Sequence, residues 1–216
     1  MFLAAASLAW NKNGFDVSKL LSVLSRDLFE DPTGRIAAAA FNLGFAHQKL
    51  GVRAANETPL GTVIAAPKPE DRELFCHNGL KWFAKIPPKK IRATLKEIEK
   101  QRAILTMGAP NSRSASFKSA TSRSRDRRSA LELELAARMA AQSCWFMLWQ
   151  QAVAAGKVSE AKRLARTGIR ELKKLEKDFN ALWPLRNKAT PKHCSAFLRW
   201  RMDDYRDAVN DPDAAR

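Results

Sequence analysis

The sequence predicts an all-α fold: a helical bundle with a long C-terminal antiparallel helical hairpin. Apolar residues recur at three- and four-residue steps along most of the 216 residues, which is the spacing that places them on one face of a helix. The alternating apolar and polar runs that indicate strands are nearly absent. Because 45% of the residues are hydrophobic, the chain can bury a core instead of remaining disordered.

Residues 1–66 are predicted to form helices joined by short connections. Residues 2–10 are apolar on all sides, which is typical of a helix buried against a larger body. Asp16 is predicted to cap the next helix. Asp31 stands immediately before a proline, so we expect it to cap a third helix that begins at that proline. The apolar positions of the two capped helices are Val17, Leu20, Leu21, Leu24, Leu28, Phe29, Ile36, Ala40, Leu43 and Leu50.

Residues 67–108 are predicted to be a charged helical segment. Before it, residues 56–69 contain three prolines and are expected to form an irregular connection. Pro87 and Pro88 then open a helix that extends to about residue 107.

Residues 109–129 differ in composition from the rest of the chain. They carry six basic side chains against one acidic side chain, seven serines and one large apolar residue, Phe117. Such a segment buries too little apolar surface to offset the entropy lost on ordering. We therefore predict a mobile linker.

Residues 130–216 contain the predicted hairpin. Its first helix covers 131–155, its second carries a near-heptad apolar stripe over 158–183, and Gly156 lies at the turn. A last short helix, about 195–209, is expected to expose its charged side chains. These are Arg199, Arg201, Asp203, Asp204 and Arg206.

Four phrases of the sequence occur in an order found in one enzyme family. They are FLAAASLAWN at 2–11, LFEDPTG at 28–34, NETPL at 56–60, and the segment 172–187 that includes Leu182-Trp183. The first resembles the final barrel helix of bacterial glycoside hydrolases of family 20, the β-N-acetylhexosaminidases. The second and third resemble segments that follow the barrel, and the fourth is similar to the helix that closes many of their C-terminal extensions. The resemblance covers residues 1–60 and about 128–200.

This resemblance implies a region without the catalytic machinery. In the family, barrel strands supply an adjacent Asp and Glu. The Glu protonates the glycosidic oxygen and the Asp orients the substrate acetamido group as nucleophile, an exception to the usual two-carboxylate scheme. The sequence contains no Asp followed by Glu. We therefore expect a C-terminal accessory region that begins after the catalytic edge of the barrel, with no catalytic residue, cofactor or metal. Its expected partner is a catalytic barrel or a second copy of the chain, contacted through residues 2–10.

Two other functions remain open. The chain has 38 Lys and Arg against 22 Asp and Glu, a net charge of +16, and the Ser- and Arg-rich run 112–128 is typical of segments that bind phosphates. This composition predicts a basic all-α binding module for nucleic acid. Small residues in 43–51 and 156–165 suggest instead a tetratricopeptide-like protein-interaction scaffold, although a period of about 34 residues is missing.

Zinc and sugar sites are not predicted. Cys76-His77 and His193-Cys194 supply four possible zinc ligands, but adjacent helical residues point about 100° apart and rarely reach one ion. The tryptophans are expected to fill the core or its rim instead of forming a carbohydrate platform. Residues 1–10 lack the basic leader of a signal peptide, and no stretch approaches a membrane span. We therefore expect the chain as given to be cytoplasmic.

Overall fold

The computed structural model describes residues 16–53, 58–65, 81–108, 125–185, 187–188 and 190–210. No strand occurs among these residues, which confirms the predicted all-α bundle. The α-helices are α1 (Val17–Asp27), α2 (Arg35–Phe45), α3 (Pro59–Ala65), α4 (Lys81–Ala84), α5 (Pro88–Gly108), α6 (Arg125–Ala154), α7 (Val158–Leu182), α8 (Pro191–Cys194) and α9 (Ala196–Asn210). Short 3₁₀ helices follow α2 at Ala46–Leu50 and α7 at Trp183–Leu185.

The first layer of the bundle consists of α1 and α2, which pack against the end of α5. A small core joins them, and α1 begins as predicted. The Asp16 carboxylate caps it by accepting a hydrogen bond of 2.7 Å from the Ser18 backbone N–H. The buried members of the small core are Phe29, Ile36, Ala37, Ala39 and Leu105.

The start of α2 differs from its prediction. Gly34, and not Asp31, is the N-terminal cap, and its φ of +70° lies in the left-handed region that favours glycine. Pro32 lies in the preceding turn. The Asp31 carboxylate still stabilises the start of the helix, because it accepts hydrogen bonds from the backbone N–H groups of Ile36 at 2.8 Å and Thr33 at 2.9 Å. Burial alone would raise the pKa of Asp31, but these hydrogen bonds hold it below its ordinary value.

The segment predicted as an irregular connection contains a helix, so that prediction is wrong for residues 59–65. α3 starts at Pro59, where the missing N–H costs nothing. The Thr58 hydroxyl accepts a hydrogen bond of 3.1 Å from the Gly61 N–H, as a capping residue does. The apolar side of α3 belongs to the main core, which includes its Leu60, Val63 and Ile64.

The main core lies between α5 and the predicted hairpin of α6 and α7. The hairpin turns at Gly156, whose φ of +65° suits glycine, and the Lys157 N–H binds the Ala152 carbonyl at 2.9 Å. α6 begins at Arg125, before the boundary placed at residue 130. One face of α7 is buried along the length of the helix, as its apolar stripe predicted. The buried residues of α7 are Ala161, Leu164, Ala165, Gly168, Leu172, Leu175, Phe179 and Leu182.

α9 packs on α7 and α3 and carries a fully buried charge. Arg201 has no exposed surface, so the prediction that it faces solvent is wrong. Its guanidinium donates to the Val63 carbonyl at 3.1 Å, pairs with Asp204 at 3.0 Å and lies 5.0 Å from the centre of the Phe146 ring. Burial lowers the pKa of Arg201, and the Asp204 carboxylate opposes this change.

The other charged residues of α9 divide into two groups. Asp203 and Arg206 are exposed, as predicted, whereas Arg199 and Asp204 are half-buried. Arg199 forms an ion pair with Glu176 of α7. The charges of α9 therefore fix its position on the bundle as well as its solubility.

A glycine allows α9 to approach α7 closely. A methyl group placed on Gly168 would lie 2.5 Å from two atoms of the Tyr205 ring. Tyr205 is fully buried, and its hydroxyl accepts a hydrogen bond of 3.0 Å from Gln142 Nε2. The rings of Phe146 and Trp149 meet it edge-on, with centroids 5.2 and 4.8 Å away. The helix crossing therefore requires a residue without a side chain at position 168.

Several predicted features lie outside the described residues. They are the apolar segment 2–10, the Cys76-His77 pair and most of the Ser- and Arg-rich linker. In the described part of the chain, none of the helices combines the length and the apolar character that a bilayer crossing requires.

Candidate functional site

The N-terminal apolar face is the apolar side of α1 and its C-terminal cap, and it consists of Val17, Leu20, Leu21, Leu24 and Leu28. Leu21 and Leu24 pack against the small core, whereas Val17 and Leu28 each expose 37% of their surface. The one buried residue of α1 is the polar Ser25. Because an amphipathic helix normally buries its apolar side, this face is incompletely covered by the described helices.

A cavity of about 470 Å³ opens between the start of α5 and the turn of the α6–α7 hairpin. We call it the hairpin pocket. Trp145 of α6 lines its wall and exposes 38% of its surface. A cavity of this volume accommodates a small organic molecule. Its floor is made of buried apolar residues, namely Ile86, Leu148, Ala152 and Leu164.

Four cations surround the hairpin pocket, accompanied by one carboxylate. Lys85 and Arg92 line the α5 side, Lys157 and Arg163 line the α7 side, and Glu160 is the acidic residue among them. The Glu160 carboxylate lies 3.9 Å from the Lys157 ammonium. Lys85, Arg92 and Arg163 form no ion pair with any of the described residues. The excess of positive charge around a concave, partly apolar site favours an anionic ligand.

Gln151 contributes a fixed polar group to the wall of the pocket. Its Nε2 donates to the carbonyls of Ala84 and Ile86 at 2.7 and 2.6 Å. Both partners are acceptors, so the amide nitrogen must face them and the oxygen must point elsewhere. Gln151 Oε1 is buried and has no hydrogen-bond partner among the described residues. Such an acceptor costs free energy unless a donor reaches it.

Two helices begin at the hairpin pocket. Pro88 and Glu160, which both line it, lie in the first turns of α5 and α7. No side chain caps the N-terminus of α7. Helix N-termini carry partial positive charge and favour anions. The C-terminus of α6 also lies nearby and carries partial negative charge. However, its Ala152 carbonyl already accepts a hydrogen bond from the Lys157 N–H.

Three buried or half-buried carboxylates, those of Asp31, Glu134 and Asp178, have structural partners among the described residues. Asp31 accepts hydrogen bonds at the start of α2. Asp178 and Glu134 both pair with Arg138, at 2.6 and 3.7 Å. These carboxylates join helices to one another, and neither Asp178 nor Glu134 lines the hairpin pocket.

The described cysteines and histidines do not assemble a metal site. His193 and Cys194 lie in α8, and no group of three or more Cys, His, Asp and Glu side chains comes together within the described ranges. Cys144 of α6 is fully buried. Burial raises the pKa of the Cys144 thiol to about 12, as befits a small hydrophobic residue of the core.

The prediction that the tryptophans fill the core or its rim is confirmed for Trp149 and Trp183 and is wrong for Trp145 and Trp200, which are exposed. Trp149 is buried, while Trp145 and Trp200 are 38% and 40% exposed. Trp183 stacks on Phe179 with ring centroids 4.9 Å apart. The sequence did not predict that Trp145 lines the hairpin pocket.

Sequence analysis did not predict the hairpin pocket, because its lining residues are divided among 84–92, 145–152 and 155–164. The one local signal is Lys157, which occupies the cap position of α7. Ser, Thr, Asp or Asn is usual at that position, so a lysine there supplies no side-chain acceptor for the first N–H groups of the helix.

Comparison with protein-family models, with curated proteins and with solved structures finds no match to this chain. No relative therefore assigns a role to the hairpin pocket or to the N-terminal apolar face.

Proposed function

We propose that the chain is a non-catalytic, helical accessory region of a β-N-acetylhexosaminidase-like glycoside hydrolase, and that its N-terminal apolar face packs against the catalytic barrel. The half-covered side of α1 is the observation that carries the proposal. Val17 and Leu28 are each 37% exposed, and Phe45 at the end of α2 is 48% exposed. Covering such side chains stabilises a complex in proportion to the apolar area removed from water.

The choice of a barrel as partner rests on the order of segments along the chain. Residues 2–11 resemble the last barrel helix, and α1 begins at Val17, six residues beyond residue 11. Six extended residues span at most about 20 Å. A barrel that ended at residue 11 would therefore stand within reach of the N-terminal apolar face.

The non-catalytic role is supported by the acidic residues. The sequence has no Asp followed by Glu, which is the pair that the family uses. Glu176, in the segment that resembles the closing helix of the family, pairs with Arg199 and accepts a hydrogen bond from the Ser195 hydroxyl at 3.2 Å. These contacts support a packing role for this segment.

An activity assay tests the non-catalytic role. The purified full-length chain is incubated with p-nitrophenyl N-acetyl-β-D-glucosaminide, and we expect no release of nitrophenol above a buffer blank. Release that disappears when one acidic residue is replaced by alanine would refute this part of the proposal. Release that persists in every such variant would come from a contaminating hydrolase, and repeated purification should remove it.

A binding assay tests the packing. The full-length chain is titrated with a family 20 barrel that lacks its own last helix, beside a Val17→Lys/Leu28→Lys double variant. Val158→Lys is the matched control, because Val158 is 55% exposed at the start of α7. We expect the double variant to bind at least about tenfold more weakly, since two charges would enter an apolar interface, and the control to bind as the unaltered chain does. Equal binding by the double variant, or no binding by the unaltered chain, would contradict the proposal.

A basic module for nucleic acid is the second candidate, and the solvent side of α7 favours it. This side consists of cations, and phosphate contacts by cations make binding steeply salt-dependent. We expect DNA binding that weakens with added salt and weakens further in a Lys173→Gln/Lys177→Gln variant, whereas no binding at low salt would remove this candidate. The exposed cations of α7 are Lys162, Arg163, Arg166, Arg170, Lys173, Lys174 and Lys177.

The tetratricopeptide-like alternative gains no such support, because α6 and α7 have 30 and 25 residues, whereas one repeat of about 34 residues holds two helices.

A further inference from the structure

We infer that the hairpin pocket binds a small organic anion with a flat aromatic ring, of the nucleoside monophosphate class. The walls present two separate recognition elements, an exposed aromatic side chain and a group of cations. Binding there is independent of the proposed packing on a barrel, because no residue of α1 lines the pocket.

Trp145 provides the surface for the aromatic ring. It exposes 38% of its surface, although the next four residues of α6 are all buried. Behind it the floor is apolar, with Ile86 and Leu164 exposing only 3% and 5%. A flat ring can therefore stack on Trp145 and leave water at the same time, which is how proteins hold nucleobases without reading their sequence.

The cations and the start of α7 provide the site for the phosphate. Lys157 stands at the uncapped N-terminus of α7, and Arg163 lies one and a half turns further along the same helix. Arg92 faces the pocket from α5. Guanidinium groups bind phosphate oxygens in pairs of charge-assisted hydrogen bonds, and a helix N-terminus adds a favourable dipole. The single carboxylate, Glu160, lies beside Lys157 and leaves the wall with a positive excess.

Other small anions match the walls less well. A sugar carries a hydroxyl on most of its carbons, whereas the floor of the pocket is apolar. Inorganic phosphate would use the cations and leave Trp145 without a role. A nucleoside monophosphate uses both elements, and the volume of about 470 Å³ is in the range of sites for molecules of that size.

Titration calorimetry on the full-length chain at low salt tests the inference. The probes are adenosine 5′-monophosphate, adenosine, inorganic phosphate and a sulfated disaccharide. We expect the monophosphate to bind at least about tenfold more tightly than each of the others, because only it engages the ring and phosphate elements together. No binding of the monophosphate at millimolar concentration, or equal binding of phosphate or the disaccharide, would overturn the inference.

Variants locate the binding. Trp145→Leu and Arg163→Gln should each weaken monophosphate binding about tenfold, through the loss of stacking and of a charge-assisted contact. The matched controls are Trp200→Leu, at a tryptophan that is 40% exposed on α9, and Arg166→Gln, at an exposed arginine of α7. Neither control residue lines the pocket.

Circular dichroism confirms that each variant is folded. Arg92→Gln, on the opposite wall, replaces any variant that fails this check. Unchanged binding by the pocket variants, or equal losses in pocket and control variants, would refute the location.

Discussion

Replacing Gly168 by alanine is expected to destabilise the bundle, although alanine is the better helix former. In a helix interior alanine gains about 1 kcal/mol over glycine. The added methyl group, however, would lie 2.5 Å from two carbons of the Tyr205 ring and 2.7 Å from its hydroxyl oxygen, about 1 Å closer than an unstrained contact. The two effects have opposite signs, so the outcome depends on whether the ring can move.

The surroundings of Tyr205 indicate that it cannot move cheaply. A shift of the ring would stretch the hydrogen bond of 3.0 Å from Gln142, worth about 1 kcal/mol. It would also disturb two edge-on ring contacts, each worth about 1 kcal/mol. Overpacking strain of about 1–3 kcal/mol adds to these losses. After the gain in helix propensity, we expect a net destabilisation of about 3–5 kcal/mol, or a decrease in Tm of about 6–20 °C for a chain of this size.

Urea unfolding followed by circular dichroism measures this difference. Gly44→Ala is the control, because a methyl group at Gly44 in α2 meets nothing within 4 Å and should stabilise the chain by up to about 1 kcal/mol. In a Gly168→Ala/Tyr205→Leu double variant, the penalty of the methyl group should largely disappear. A Gly168→Ala chain as stable as the unaltered protein would refute the reasoning.

Three further predictions concern buried groups. Arg201→Met should cost about 3 kcal/mol in urea unfolding, because it leaves the Asp204 carboxylate without the guanidinium that neutralises it, and Asp204→Leu in addition should recover part of the loss. Asp31→Ala should cost about 1 kcal/mol at pH 7. The lowered pKa of Asp31 makes its contribution fully present above the ordinary value of 3.8 and lost as the pH falls below it, so the difference between the two chains should shrink at pH 3. Iodoacetamide followed by mass spectrometry should label Cys194 before Cys144, because Cys144 is fully buried and its pKa is about 12, and early labelling of Cys144 would contradict its placement.

The hairpin could be predicted from sequence because its information is local. The apolar stripe of α7 repeats within the helix, and Gly156 is the residue type that the turn requires. Asp16 was recognisable as a cap for the same reason. At Asp31 the predicted start of α2 was too early, because the glycine at 34 occupies the cap position, while the Asp31 carboxylate accepts a hydrogen bond from the Ile36 N–H.

The features that escaped prediction depend on distant partners. Arg201 looks like a solvent-exposed residue in its own helix, but its acceptor is the Val63 carbonyl, 138 residues earlier. α3 was not predicted because residues 56–69 contain three prolines, and it is stabilised by burial of Leu60 against the main core. The hairpin pocket arises only when three segments meet. The helical period and the capping signals are local, so they do not predict contacts between segments that are distant in the sequence.

The contact between Arg201 and Val63 can form only after both residues have been synthesised. A ribosome adds about 5–20 residues per second, so the 138 residues between them take about 7–28 s to synthesise at that rate. Once α6 has been made, Phe146 and the apolar side of α3 lack the helix that covers them until α9 has also been made. A chain truncated before residue 196 would therefore leave this apolar surface uncovered.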